Sequence, residues 1–491
     1  MSDAVENVAA EETDYAPGIE SNFEIVPDEG SYEIDDIEGT IPSYLNGHYY
    51  LNGPALFRHP GADGEELRYR HWLDGDGLVQ SLRFENGQVR YTARLVNSTK
   101  RRDETEAGHA LYRTFGTRFE KDRLKRGIGL ESPVNVSAFP WNGTLLAFGE
   151  QGLPWELDPE TLETRREYTF GGRLNAISPL SAHPCFDQHT GEMFNFGISF
   201  AARRPSLQLY RFAADEELVY RRRLALDFPC SVHDFIISKN YVLFFLSPHV
   251  LNIDLMLKEG KTVMEALQWE PERGSQLLVV ARETGEEVTR VALGRGYCLH
   301  LINAVDDGDQ ITLDVIELER PVYDQYEVLP NLFVNAPRGR PCRRVITLAK
   351  GDAGASRLIS EENIEYRVSQ DFPAIDPRRA LQECDELWCL GISQTSAGLG
   401  RKFFDELAHL RWGASLSLYR TPNGRYLGGE PIFLPDPQDP RRGVILCQEL
   451  DAEHQKSYFL LFDAYAVDAG PIARMRLRRP NPLGFHASWH S

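Results

Sequence analysis

Short apolar runs rich in β-branched and aromatic residues recur along the chain, each closed by Gly, Asn or Asp. They include His48–Leu51, Gln88–Val96, Thr144–Phe148, Met193–Phe200, Ser206–Phe212, Tyr241–Leu246, Gln276–Ala281, Gln310–Ile316, Leu387–Ile392, Ser415–Tyr419 and Val444–Leu450. Asn86-Gly87 and Asn142-Gly143 stand immediately before two of these runs. Asn-Gly between extended segments predicts a two-residue hairpin, because both turn positions want positive φ. Helical periodicity is confined to Asp254–Gln268 and Arg401–Leu410. Many short strands without alternating helices predict an all-β sandwich, barrel or propeller. No crisp repeat signature counts the blades of a propeller. No linker rich in Gly, Ser or Pro divides the body, so residues 21–491 read as one domain.

Composition narrows the partners. With 42% hydrophobic and 11% aromatic residues, the chain has enough apolar surface for a sizeable core, which excludes wholesale disorder. The formal net charge of −20 argues against a nucleic-acid binder, which needs a positive footprint. Thirteen of the 73 acidic side chains fall within residues 1–57, which contain no Lys or Arg. The body, holding all 53 basic residues, is therefore only mildly acidic, and residues 1–20 read as a disordered acidic tail. The N-terminus lacks an apolar signal core, and no uncharged apolar run approaches the roughly 18 residues of a membrane span. The seven cysteines are scattered without CxxC spacing, which fits reduced thiols. A cytoplasmic location is expected.

Thirteen histidines are present. His59, His109, His189, His409, His454 and His490 lie in charged or loop-like surroundings and read as surface residues. Four others sit at the edges of strand-forming stretches: Ser181-Ala182-His183-Pro184, Ser231-Val232-His233-Asp234-Phe235, Tyr297-Cys298-Leu299-His300-Leu301 and Gly484-Phe485-His486-Ala487. They stand at least 50 residues apart, which excludes a local finger or a helical HExxH site. Spacing alone does not separate a metal site assembled by the fold from four core histidines. Asp74-Gly75-Asp76-Gly77 lacks the remaining ligands of a calcium loop and reads as a turn. Asp306-Asp307-Gly308-Asp309 reads as a hairpin loop. Gly294-Arg295-Gly296 and Gly398-Leu399-Gly400 are too incomplete for phosphate loops, and no GxSxG elbow is present.

Taken in order, several motifs carry a resemblance. Gly39-Thr40-Ile41-Pro42, Asn52-Gly53-Pro54 and His71-Trp72-Leu73-Asp74-Gly75-Asp76-Gly77-Leu78 come first. Leu145–Glu150, Ser181–Pro184, Val232–Phe235 and His300–Ala304 follow, then Gly429–Pro435 and Gly484–Trp489. Over about residues 33 to 491 this pattern resembles the carotenoid cleavage oxygenase family. The resemblance implies an all-β, seven-bladed β-propeller, with a few short helices and loops capping one face over an axial iron. It implies that His183, His233, His300 and His486 hold Fe2+, and neutral imidazole suits that ion. It places outer carboxylates at Glu150, Asp371 and Glu430, paired with His233, His300 and His486, and leaves His183 without one. Where the family usually has Glu, this chain has Asp371, one methylene shorter. It is expected to need a backbone shift or a bridging water to reach its ring. Val136 falls where a small β-branched residue flanks the open iron position, and reads as either a gate or a core valine.

The chemistry implied is oxidative cleavage of a conjugated C=C bond, with O2 as co-substrate and two carbonyl products. The stilbene-cleaving branch carries Lys immediately before the first of these carboxylates. Gly149 stands there instead, so a carotenoid or apocarotenoid is the expected substrate, with stilbenoid or aryl-alkene cleavage as the alternative. An isomerase on the same scaffold, or a propeller that only binds apolar ligands, is the different-class alternative. Two segments, Lys100–Arg126 with its excess of basic residues and the amphipathic Val250–Leu267, fall where relatives carry membrane-facing patches. They suggest peripheral contact with anionic lipid or, equally, a charged loop beside a half-buried helix.

Overall fold

Asn86 and Gly87 take φ of 53° and 78° and join strands Asp76–Glu85 and Gln88–Leu95, as the hairpin signal predicts. Asn142 and Gly143, at 48° and 74°, do the same for Ser137–Trp141 and Thr144–Phe148. Repetition of this unit builds the molecule. The computed structural model describes residues 17–126, 129–200, 204–327, 332–333, 335–349, 355–365, 370–393, 403–414 and 417–491. Its main sheets form a seven-bladed β-propeller.

Blade 1 contains Gly30–Glu33, Gly47–Ala55, Asp76–Glu85 and Gln88–Leu95; blade 2 runs from Ser137–Trp141 to Thr164–Glu167. Blade 3 runs from Cys185–Phe186 to Leu218–Ala225, blade 4 from Ile236–Ile237 to Glu287–Gly294, and blade 5 from Tyr297–Asp307 to Arg357–Asn363. Gln370–Ala374 opens blade 6 and Arg425–Pro435 opens blade 7. The ring is closed twice. The C-terminal strand Ala487–His490 pairs with Gly47–Ala55 of blade 1, and the N-terminal strand Ile37–Gly39 pairs with Pro471–Arg476 of blade 7.

The middle strands of the blades are buried on both faces, which explains their unbroken apolar runs. In Tyr241–Leu246, Val242, Phe244 and Leu246 join the core shared with blade 3, while Leu243 and Phe245 join that shared with blade 5. The same two-sided burial misleads at Arg401–Leu410, which reads as helical. Residues 401–402 lie outside the described set, and Glu406–Arg411 is a strand of blade 6 paired with Glu386–Gly391. Leu407 enters one core, whereas Ala408 and Leu410 enter another, so the three-residue leucine spacing is not a helical face.

Near Asp254–Gln268 the expectation holds: short helices Ile253–Glu259 and Val263–Ala266 occur there. Helix Thr99–Ala107 carries no apolar stripe and escapes periodicity. It is capped by the Ser98 hydroxyl, which accepts from Arg101 N. Among the described residues, no helix is long and apolar enough to cross a membrane. Of the expected 1–20 tail, residues 1–16 lie outside the described set. Residues 17–20 belong to the packed body: Ile19 is buried in the 3-10 turn Ile19–Phe23, and the Pro17 carbonyl accepts from the Tyr426 hydroxyl. All seven cysteines are free thiols, and Gly308 turns the Asp307–Gln310 hairpin.

Candidate metal centre

His183, His233 and His486 each stand just before the first strand that their blade contributes to the axis, and His300 lies inside Tyr297–Asp307. The pairing of that strand with Gln310–Leu318 slips between Cys298 and Leu301, and this irregularity re-aims His300. The His183 backbone N–H donates to the Ser181 hydroxyl at 3.2 Å, and His486 N–H donates to the Val136 carbonyl at 3.2 Å. All four side chains are buried.

Their ligand atoms lie within 4.8 Å of one another. Nε2 of His183 stands 2.9 Å from Nε2 of His233, which stands 3.2 Å from Nε2 of His300. The other ring nitrogens face outward. His233 Nδ1 donates to Glu150 at 2.8 Å, His300 Nδ1 to Asp371 at 2.5 Å, and His486 Nδ1 to Glu430 at 3.4 Å. A carboxylate that accepts at Nδ1 fixes the proton there and leaves Nε2 as a bare lone pair. At least three converging lone pairs repel one another unless a cation lies between them, so this donor set fits a divalent metal that accepts neutral imidazole. Burial, and then the neighbouring imidazoles, push His183 well below its ordinary pKa. At His233, burial acts in the same sense, but Glu150, Asp234 and Asp371 together outweigh it and the net shift is upward.

Asp371 takes the first of the two expected routes, a shift of the backbone. It reaches His300 directly, with no bridging water required. The Gln370–Ala374 strand slips register between Asp371 and Ala374, and Phe372 sits at φ 54°. The bulge advances the backbone toward the ring and replaces the missing methylene. Asp371 also accepts from Phe372 N–H at 2.9 Å, and its charge helps to raise the pKa of Tyr326 after burial.

Aromatic rings enclose the histidines. Phe372 lies 5.5 Å from His300 and 5.3 Å from His486, and Tyr323 lies 6.3 Å from His233 between ring centroids. Phe115 packs 5.4 Å from Tyr323 and 4.8 Å from His71, whose Nε2 donates to the Tyr323 carbonyl. Tyr323 and Tyr326 begin and end a short 3-10 helix, Phe115 lies in a loop, and none of them carries a motif that sequence reasoning could find. Val136 is buried against the His486 backbone.

His59 and the Asp74–Gly77 turn differ from their sequence reading. His59, Asp76 and Glu104 gather as a second cluster. The position of a cation there is filled by Lys100, whose ammonium donates at 2.8 Å to both Asp76 and Glu104. Asp74 is wholly buried and accepts from Gly116 N–H, the Thr117 hydroxyl and His71 N–H, pinning the Phe115 loop over the site. His409, expected at the surface, is half-buried and stacks on Trp388 at 4.7 Å.

The sequence from residue 23 to residue 491 matches the family of retinal pigment epithelial membrane proteins. The chain belongs to this family, that of the carotenoid cleavage oxygenases. It is 28% identical to the apocarotenoid-15,15'-oxygenase of Synechocystis over 490 residues, covering 95% of both chains. Isoeugenol monooxygenase of Pseudomonas putida is 26% identical over 473 residues, covering 93% of this chain and 94% of that one. Resveratrol cleavage oxygenase 1 of Aspergillus fumigatus is 27% identical over 483 residues, covering 94% and 93%. Among solved structures, a variant of the Synechocystis apocarotenoid oxygenase superposes with a TM-score of 0.86 at 25% identity, covering 97% of this chain and all of that one. Its cobalt-substituted form gives a TM-score of 0.84 at 25% identity, covering 96% and 98%.

Proposed function

We propose that this carotenoid cleavage oxygenase is a non-haem Fe(II)-dependent dioxygenase that splits a conjugated C=C bond of a carotenoid or apocarotenoid into two carbonyl products. The observation that carries the reading is the convergence of four buried imidazole Nε2 atoms, with three of the opposite nitrogens anchored to carboxylates. Iron(II) held by His183, His233, His300 and His486 supplies the activation of O2. The chain's own residues do the rest. Glu150, Asp371 and Glu430 keep the Nδ1 protons in place, so the rings do not rotate away. Phe115, Tyr323, Tyr326 and Phe372 offer flat apolar faces that hold a planar alkene and keep water out. Val136, beside His486, gates access.

Gly149 supports a carotenoid-type substrate. A Cβ there would meet the Ser132 hydroxyl at 2.1 Å and Val134 N at 3.1 Å, so the wall has no room for a phenol-binding side chain. A phenolic alkene is the second reading. It is favoured by the resveratrol and isoeugenol relatives and by the interacting hydroxyls of Tyr297 and Tyr323 beside His233. Anaerobic purification with Fe(II), followed by an apocarotenal, resveratrol and isoeugenol under ¹⁸O₂, separates these. Labelled aldehydes from the apocarotenal are expected. Labelled products from the phenols alone would move the assignment to the second reading, and unlabelled or isomerised alkene throughout would overturn dioxygenase chemistry.

Membrane contact is proposed for the face made by Lys100–Arg126 and Val250–Leu267. The segments pack together, with Met264 N–H donating to the Phe115 carbonyl and Arg113 to the Met256 and Lys261 carbonyls. Lys100 and Arg113 spend their charges on internal carboxylates, whereas Arg118 and Lys121, paired with Glu265 and Glu120 at the surface, stay exposed with Leu257 to meet lipid. Flotation with acidic liposomes at low salt is the check, and no binding would remove the idea.

A further inference from the structure

Three of the four histidines have an obvious carboxylate behind them, and His183 does not. Its Nδ1 instead faces Asp234 Oδ1 at 3.8 Å, about 0.6 Å beyond the longest ordinary N–H···O bond. Among the described residues, no other carboxylate comes within 4 Å of this ring. The remaining contacts of Asp234 are not those of a loop acid. Its Oδ2 accepts from Leu301 N–H at 2.9 Å, one residue beyond His300, and its Oδ1 accepts from Phe235 N–H at 2.7 Å. Asp234 itself follows His233 in the chain. One carboxylate therefore touches or faces the ligand segments of blades 3, 4 and 5.

We propose that Asp234 is a positioning residue for the metal centre: it takes the Nδ1 proton of His183 while fixing the His233 and His300 segments to each other. Rotation of the His183 ring closes the remaining gap. The centre then has four anchored imidazoles, the fourth anchor coming from the residue next to another ligand. The other three anchors come from elsewhere: Glu150 in blade 2, Asp371 in blade 6 and Glu430 in blade 7. This inference rests on the metal reading proposed above.

Cobalt(II) serves as the probe, added to the metal-free full-length protein and followed by its visible absorption and by proton NMR. In the wild-type protein, four paramagnetically shifted, slowly exchanging ring N–H signals are expected, one for each anchored histidine. Three such signals, with the fourth exchanging freely, would overturn the assignment without any variant. Asp234→Asn is expected to weaken cobalt binding about 10- to 100-fold and to lose one slow N–H signal, as loss of a hydrogen-bond partner behind a ligand does. Wild-type affinity with all four signals retained in Asp234→Asn would overturn it equally. If the wild-type protein takes up no cobalt, the metal reading itself falls, and this inference with it.

Discussion

Asp371 reaches its histidine because the strand that carries it bulges inward, so side-chain length and backbone path at this position are matched. Lengthening the side chain should therefore hurt rather than help. Asp371→Glu is expected to crowd His300 and lower metal affinity about 10-fold, and Asp371→Asn, which cannot hold the ring proton with a full charge, about 10- to 100-fold. Titration of the metal-free variants with Fe(II) or Co(II) checks both. His249 makes a different kind of prediction. It is buried, stacks on Tyr323 at 5.9 Å, and its Nδ1 has no hydrogen-bond partner. Burial pushes its pKa down to about 4. The folded protein keeps it neutral, whereas the unfolded chain takes up the proton near pH 6.5. Its contribution to stability thus falls as pH drops from about 6.5 toward 4. His249→Phe keeps the stack and removes the titration. Urea midpoints of the metal-free protein at pH 7 and pH 5 should lie closer together in this variant than in the wild type.

Helix Thr99–Ala107 is held by charge rather than by an apolar face. Lys100 is fully buried between Asp76 and Glu104. Burial disfavours its ammonium, yet Asp76, Tyr69 and Glu104 hold its pKa well above the ordinary value. Lys100→Ala strands two buried carboxylates and is expected to cost about 3–5 kcal/mol. Combining Lys100→Met with Asp76→Asn and Glu104→Gln should recover most of that, and denaturant unfolding of both proteins measures it. This element also marks where sequence reading ends. Hairpins such as Asn86-Gly87 are legible because two residues decide them. The four axial histidines, Glu150 and Glu430 are legible because each sits in a motif, and Asp371 because it stands where the family usually has Glu. The helix was invisible because its stabilising partner, Asp76, lies in a distant strand. Arg401–Leu410 reads as helical because the strand it contains, Glu406–Arg411, is buried on both faces and has lost its alternation. The aromatic shell of Phe115, Tyr323 and Tyr326 is placed by a loop and a one-turn 3-10 helix, whose paths are set by distant contacts such as those of Asp74 and His71 rather than by local pattern.

The ring closes through pairings between opposite ends of the chain. Gly39, at φ +86°, lies so close to blade 7 that a Cβ would meet the Ile472 carbonyl oxygen at 2.1 Å. Gly39→Ala is expected to lose about 1–3 kcal/mol and to speed unfolding, because strain at this edge loosens one of the two closures. Stopped-flow unfolding in denaturant reads the rate. The other closure, Ala487–His490 against blade 1, begins one residue after His486. The strand that seals the circle and the last histidine of the axis are thus contiguous, and they arrive together. His183, His233 and His300 precede this segment in the chain, so the nest of four imidazoles is incomplete until the closing strand pairs with blade 1. Metal binding at the proposed centre would therefore follow closure of the ring rather than the folding of any one blade.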